Sequence, residues 1–252
     1  MVSAIYIIAI GLGTAFLLGL LRDEWRSAAY GLTHMALAAM SLISAAWVWH
    51  LAQPGALPVE IFTAGAKPPF SINLRLGLAE AVLTLLVNLT GLLSATYLRD
   101  TMFKQGRRAM AVLLIFTMAV CGIVMTRDLF NLFVFFELVA IATGGLILLS
   151  RDKHALGAGF KFLVASQVIT ILLLLGIIFS YHATGTLNID GMAEARAELL
   201  GVAPLAFFLM LIAVIVEIKP FPANGWALDI YESAHPAFSA MVSAAAGSAS
   251  LF

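Results

Sequence analysis

Charged residues are scarce in this sequence. Lysine and arginine number 14 and aspartate and glutamate 14, together 11% of 252 residues, against roughly 25% in ordinary soluble domains. Hydrophobic residues make up 62% and the mean hydropathy is +1.01, more apolar surface than a soluble domain of this length could hide. The net charge of zero excludes bulk attraction to nucleic acid. A single cysteine, Cys121, rules out a disulfide within the chain, and its apolar surroundings make it a packing residue. No Cys/His spacing suits a metal and no glycine-rich loop suits a phosphate, so no cofactor is expected and any electron transfer falls to partners. No basic stretch precedes the first apolar run, so a cleaved signal peptide is not expected. Low-complexity tracts and clear internal repeats are also missing.

What is present is one apolar run after another. Eight stretches approach the ~20 residues needed to cross hydrocarbon: 3–21, 28–50, 74–97, 109–126, 129–149, 158–181, 203–230 and 236–252. No strand alternation is long enough to compete. The fold class is all-α, a polytopic transmembrane helix bundle with the seventh span broken. Loops after spans one, three and five carry Arg22, Arg26, Arg99, Lys104, Arg107, Arg108, Arg151 and Lys153. Those after spans two, four and six carry Lys67, Arg127 and Arg196. The excess places the first set in the cytoplasm and both termini outside. Loop 51–73 is too proline-rich for a helix and too apolar for disorder, so it folds on the surface. Ala193–Leu200 makes a short surface helix at most. The last span is rich in small residues, which let helices approach closely, and a helix from another chain is expected to continue its packing.

Ionisable residues at membrane depth are functional candidates by default. Leu205–Val216 is apolar throughout, then meets Glu217, Lys219, Pro220 and Pro222. Proline lacks an N–H and disfavours helix at the preceding residue, so the helix should break near Lys219. Such a break survives only where protein or water satisfies the freed carbonyls. Glu137 lies nine residues after Asp128, about 14 Å along a helix and near the midplane. A lone carboxylate there needs a partner, and Lys219 is the best-placed base. The two serve either as a static ion pair or as a titrating pair on a proton path. Buried lysine loses its proton more readily, so a moving carboxylate could make it take up and release one. Lys161 either snorkels to the interface or modulates a proton. Arg75 and Glu80 read as an interfacial anchor and a local pair. On an unbroken helix Glu217 would face away from Lys219. His235, Asp229 and Glu232 follow the break, and a polar pocket there could lead toward Lys219. His34, His50 and His182 sit near span ends as interface residues.

These residues resemble a known family, the antiporter-like subunits shared by respiratory complex I, Mrp-type cation/proton antiporters and membrane-bound hydrogenases. The resemblance runs from about Phe70. Asn131–Ala140 looks like the family's fifth helix, with its glutamate at Glu137. Phe160-Lys161-Phe162 and Tyr181–Asn188 look like the sixth, with its lysine at Lys161. Lys219-Pro220-Phe221-Pro222, Trp226, Asp229 and Ala234–Ser239 look like the broken seventh, with its key lysine at Lys219. The resemblance implies two inverted repeats, each a half-channel round a broken helix, of which this chain holds only the first. Residues 1–108 would be an N-terminal three-helix segment and 109–252 the half-channel repeat. The chain departs from the pattern at Asn224, where a histidine is usual, and at Gly247 and its neighbours, where the eighth helix usually carries a base.

The implied function is a proton- or cation-translocating, non-redox membrane subunit of a respiratory or ion-pumping complex in the cell's inner membrane. Its partners would be lipid and other membrane subunits, one supplying the second half-channel. The alternatives are a structural subunit with a vestigial channel and a component of a stand-alone Mrp-type Na+/H+ antiporter.

Overall fold

The computed structural model describes residues 2–63, 65–66, 68, 71–148, 153–195, 201, 203–219, 224–233 and 235–251. The helices in order are α1 (Ile5–Leu20), α2 (Arg26–Leu51), α3 (Leu78–Tyr97), α4 (Arg99–Gln105), α5 (Arg107–Met125), α6 (Leu129–Leu148), α7 (Lys153–Thr184), α8 (Ile189–Glu194), α9 (Ala203–Glu217), α10 (Gly225–Ser233), α11 (Pro236–Ala240) and α12 (Gly247–Leu251). A π-turn over Met241–Ala246 joins the last two. Among the described residues five helices, α2, α3, α5, α6 and α7, are long and apolar enough to cross a membrane; α1 and α9 are apolar but shorter. The chain is a multi-pass membrane protein.

The core is centred on α5. A helix apolar on every side belongs inside, and α5 buries Leu113, Leu114, Phe116, Met118, Val120 and Cys121. It packs against α1, α2, α3 and α6, while α7 packs between α6 and α9. The outer faces are apolar and uncovered, with Phe16, Leu42, Leu93 and Phe160 among their most exposed side chains, as hydrocarbon or neighbouring membrane helices require. Inside the bundle Asn88 Nδ2 donates to Ser44 Oγ at 2.9 Å and Cys121 Sγ lies 3.5 Å from Asn88 Oδ1, tying α2, α3 and α5. Cys121 is therefore a core residue with a polar neighbour. Close approach of α7 and α9 depends on Gly176: a Cβ there would meet Met210 Cγ at 2.5 Å and the Ala206 carbonyl oxygen at 2.8 Å.

Loop contacts sort into two rims. At one end Arg107 Nε donates to Asp23 Oδ1 at 2.7 Å, its Nη1 to the carbonyls of Leu18 and Gly19, and Arg26 to Phe103 O. At the other, Trp47 Nε1 donates to Val2 O at 3.1 Å and Arg127 pairs with Asp190 at 2.8 Å.

Two expectations need correction. Strand pairing does occur: β1 (Val59–Phe62) and β2 (Asn73–Leu76) form an antiparallel hairpin over the second rim, so the third span opens at Leu78 rather than residue 74. Arg75 and Glu80 are not a local helix pair. Arg75 stands on β2 opposite Glu60, and Glu80 Oε2 accepts from Gly77 N–H at 3.0 Å, closing the start of α3. A helix not expected from the sequence, α8, precedes that stretch, with Asn188 Oδ1 accepting from Gly191 N–H at 2.9 Å as its cap; residues 196–200, most of the expected Ala193–Leu200 helix, lie outside the described residues, as do Lys67 and Arg151.

Two outcomes are expected. Gly176→Val should destabilise the protein by about 1–3 kcal/mol through overpacking, whereas Gly157→Ala, where nothing lies within 4 Å of a Cβ, should not; thermal unfolding in detergent measures both. The Arg107 guanidinium holds the Asp23 carboxyl below the usual carboxylate range. A lowered folded-state pKa means the bridge contributes above the unfolded carboxyl's pKa and is lost as pH falls through the lowered value. Asp23→Asn should flatten that acid-side loss, and an identical acid profile would show the bridge contributes nothing.

Candidate functional site

The apolar run of α9 ends its regular turns at Glu217. Ile218 N–H still bonds to Val214 O and Lys219 N–H to Val216 O, each at 3.1 Å. Lys219 then adopts a φ of +60°, alone among the described non-glycine residues on the positive side. That conformation costs an L side chain about 1–2 kcal/mol, which is why helices commonly close on glycine here. Lysine returns the cost through its amine. Nζ donates to Glu217 O at 2.8 Å and to Glu217 Oε1 at 3.3 Å. Orphan carbonyls and the negative end of the helix dipole both favour a cation at this spot. The two side chains are 8% and 12% exposed. Residues 220–223, including Pro220 and Pro222, lie outside the described residues, and helix resumes at Gly225.

Glu217 is thus the carboxylate set against Lys219. Helical periodicity turns it away, but the positive φ takes Lys219 off the helix and folds its side chain back over the end of α9. Glu137, on α6, accepts from Gln167 Nε2 of α7 at 2.8 Å. Gln167 is a residue the sequence reading missed, a neutral amide inside a long apolar helix. Phe136 and Thr170, beside Glu137 and one turn from Gln167, line a gap of about 10 Å³ together with Ala213 and Glu217, room for about one water.

Lys161 Nζ meets Asp229 Oδ2 of α10 at 2.7 Å, with the side chains 64% and 40% exposed. His235 sits elsewhere. Its ring lies 5.6 Å from Tyr97 and 6.1 Å from Phe238, and its Nδ1 accepts from Ala237 N–H at the start of α11. The described contacts of Asp229 and His235 therefore lead to α7 and to the end of α3. Along α7, Lys161, Gln167 and Thr170 fall within nine residues, about 14 Å of helix, so one rigid element carries a contact to each part of the site. Among the described residues no three His, Cys, Asp or Glu side chains gather as metal ligands.

The model for the NADH:quinone oxidoreductase/Mrp antiporter transmembrane family matches residues 126–252, more than half of the chain and all of this site. The chain belongs to this family. Among its members, a Na(+)/H(+) antiporter subunit of Bacillus subtilis is 31% identical over 202 residues, 75% of this chain and 41% of that one. A NADH-quinone oxidoreductase subunit of Cereibacter sphaeroides is 29% identical over 80% of this chain and 44% of its own. A chain of the membrane-bound sulfane sulfur reductase, an archaeal respiratory membrane complex, superposes with a TM-score of 0.91 at 28% identity, covering 98% of this chain and 51% of that one. A chain of the Mrp complex from Dietzia sp. shares the fold, with a TM-score of 0.87 at 23% identity over 98% of this chain and 47% of its own. The chain thus spans about half the length of these family members.

Removing one member of a buried ion pair strands the other and costs about 3–5 kcal/mol. Lys219→Met should show a loss of that order in unfolding experiments, and adding Glu217→Leu should recover most of it; a double variant as unstable as the single one would mean the two groups do not interact.

Proposed function

We propose that this chain is a proton- or cation-translocating antiporter-like subunit of a multi-subunit membrane complex, and that residues 109–252 supply one half-channel. The observation that carries this reading is the buried Lys219–Glu217 pair at a helix break. A static brace gains little from such a pair, since buried ion pairs are often no more stabilising than apolar packing. A transfer site needs one: protonating or displacing the carboxylate frees the amine to lose its proton, and restoring it reverses the step.

Glu137 is the other carboxylate of the path. It hands protons across the Thr170 gap to Glu217, through a single water when one enters, while Gln167 keeps it oriented. Lys161 and Asp229 form the connection toward the basic rim, which the loop charges place in the cytoplasm. Eight crossings with both termini outside, a place in the inner membrane, and a second half-channel from a partner subunit belong to the same reading. The likeness to the Na(+)/H(+) antiporter subunit of Bacillus subtilis supports a proton or an alkali cation as the carried ion. The second reading, a structural subunit with a vestigial channel, is favoured by the small residues around Gly247, where the family pattern places a base.

The test is coupled ion movement by the assembled complex in proteoliposomes. Lys219→Ala and Glu217→Gln should each cut the rate by at least about tenfold, a barrier change of about 1.4 kcal/mol. Unchanged coupling in the Lys219 variant makes the chain a brace.

A further inference from the structure

Buried hydroxyls in this chain follow one habit. Thr33 donates to Ala29 O, Ser44 to Met40 O, Thr117 to Leu113 O and Ser180 to Gly176 O, at 2.8 to 3.0 Å. Each bonds the carbonyl four residues back, the nearest acceptor for a hydroxyl inside a helix. Ser166 of α7 departs from the habit. It is 1% exposed, yet its Oγ has no hydrogen-bond partner among the described residues. A buried hydroxyl without a bond forfeits its hydration and gains nothing in exchange, so its place in the structure calls for a reason.

That place is beside the break. Phe162, Ser166, Thr170, Leu173 and Ile177 are all buried and recur every three or four residues, so they form one face of α7. Thr170 and Leu173 of that face line the gap shared with Phe136, Ala213 and Glu217. α7 and α9 run antiparallel: Gly176 meets Ala206 and Met210, and the gap sets Thr170 with Ala213 and Glu217. One further turn along α7 brings Ser166 level with the end of α9, where Lys219 follows Glu217. In the other direction Lys161, paired with Asp229, is five residues away, about 7.5 Å along the helix.

The neighbouring hydroxyl has already committed its proton. Thr170 Oγ1 donates to Ser166 O at 3.1 Å and Gln167 O at 3.2 Å, which leaves only lone pairs for the gap. Ser166 keeps a donor and two acceptor positions. Successive turns of a helix stand about 6 Å apart, the span of one water bonded at about 2.8 Å to a hydroxyl on each.

We propose that Ser166 is a positioning residue of the proton path, its hydroxyl orienting a water between the Thr170 gap and the Lys161–Asp229 pair. The proposal rests on the translocation reading, with the proton as the ion moved at this step. The water takes a proton on an oxygen lone pair from the Glu217 side and releases one of its own toward the Asp229 carboxylate. Ser166 turns with it, accepting before the transfer and donating after, and ends unchanged.

Ser166→Ala and Ser166→Cys in the assembled complex test this. Alanine removes the hydroxyl, and cysteine keeps the size with only a weak donor. Both variants should unfold in detergent no more easily than the natural protein, because the group removed makes no bond. In proteoliposomes both should slow proton translocation roughly tenfold, a barrier change of about 1.4 kcal/mol, and the solvent deuterium isotope effect on the rate should grow as the proton step becomes the slow one. A water-resolving map of the natural complex should place a water within about 3.2 Å of Ser166 Oγ. A natural rate in the alanine variant overturns the proposal, as does a loss of rate matched by a loss of stability, or a map in which the hydroxyl bonds the Phe162 carbonyl and no water. If Lys219→Ala stops translocation and Ser166→Ala does not, the positioning role falls while the half-channel stands. If Lys219→Ala leaves translocation unchanged, both readings fall.

Discussion

A helix that stops with its last turn buried leaves carbonyl groups in need of partners, and the rest of this structure depends on how α9 meets that constraint. It does so with its own next charged residue. Lys219 accepts a strained backbone so that its amine can reach the last turn, and Glu217 balances the amine. One residue thereby closes a helix, neutralises a dipole and creates an ion pair. The chemistry proposed for the chain follows from the fact that a group holding a helix end together is also a group that can lose a proton.

The surrounding helices bring further polar groups to this break. α9 can lie close to α7 because Gly176 has no side chain to keep Met210 and the Ala206 carbonyl away. α6 packs on the other side of α7 and carries Glu137 to Gln167. The gap bounded by Phe136, Thr170 and Glu217 then lies where these three helices meet. The core behind them, centred on α5, is largely apolar, with Asn88 and Ser44 bonded inside it.

Much of this was legible in the residues. Apolar runs of membrane length announced the helices, and two prolines after a charged residue announced the break. Glu137, Lys161 and Lys219 stood out because charge is rare here. The partners were harder to see. Glu217 was misplaced because helical spacing was carried across a residue that leaves the helix, and a positive φ at lysine has no sequence signal. Gln167 has no charge to draw attention in an apolar stretch. The β1–β2 hairpin was hidden because its two strands are four residues each, with Pro68 and Pro69 in the sequence between them. Asn188-Ile-Asp-Gly191 is a readable cap, and weighting it would have placed α8 correctly. The resemblance to antiporter-like subunits, drawn from separate motifs in order, agrees with the family match over residues 126–252.

α7 has 32 residues, about 48 Å of helix, against a hydrocarbon layer of about 30 Å. Tilting absorbs only part of the difference, so its ends stand in the headgroup layer. Lys161 lies eight residues from the start of α7, about 12 Å, which sets its pair with Asp229 close to the boundary between acyl chains and headgroups. The surroundings of that pair are consequently fixed by lipid as much as by protein. Longer acyl chains submerge it and strengthen its mutual attraction, while shorter ones admit water and loosen it. Bilayer thickness becomes a physical setting of the molecule, one that the organism's lipid composition holds in place.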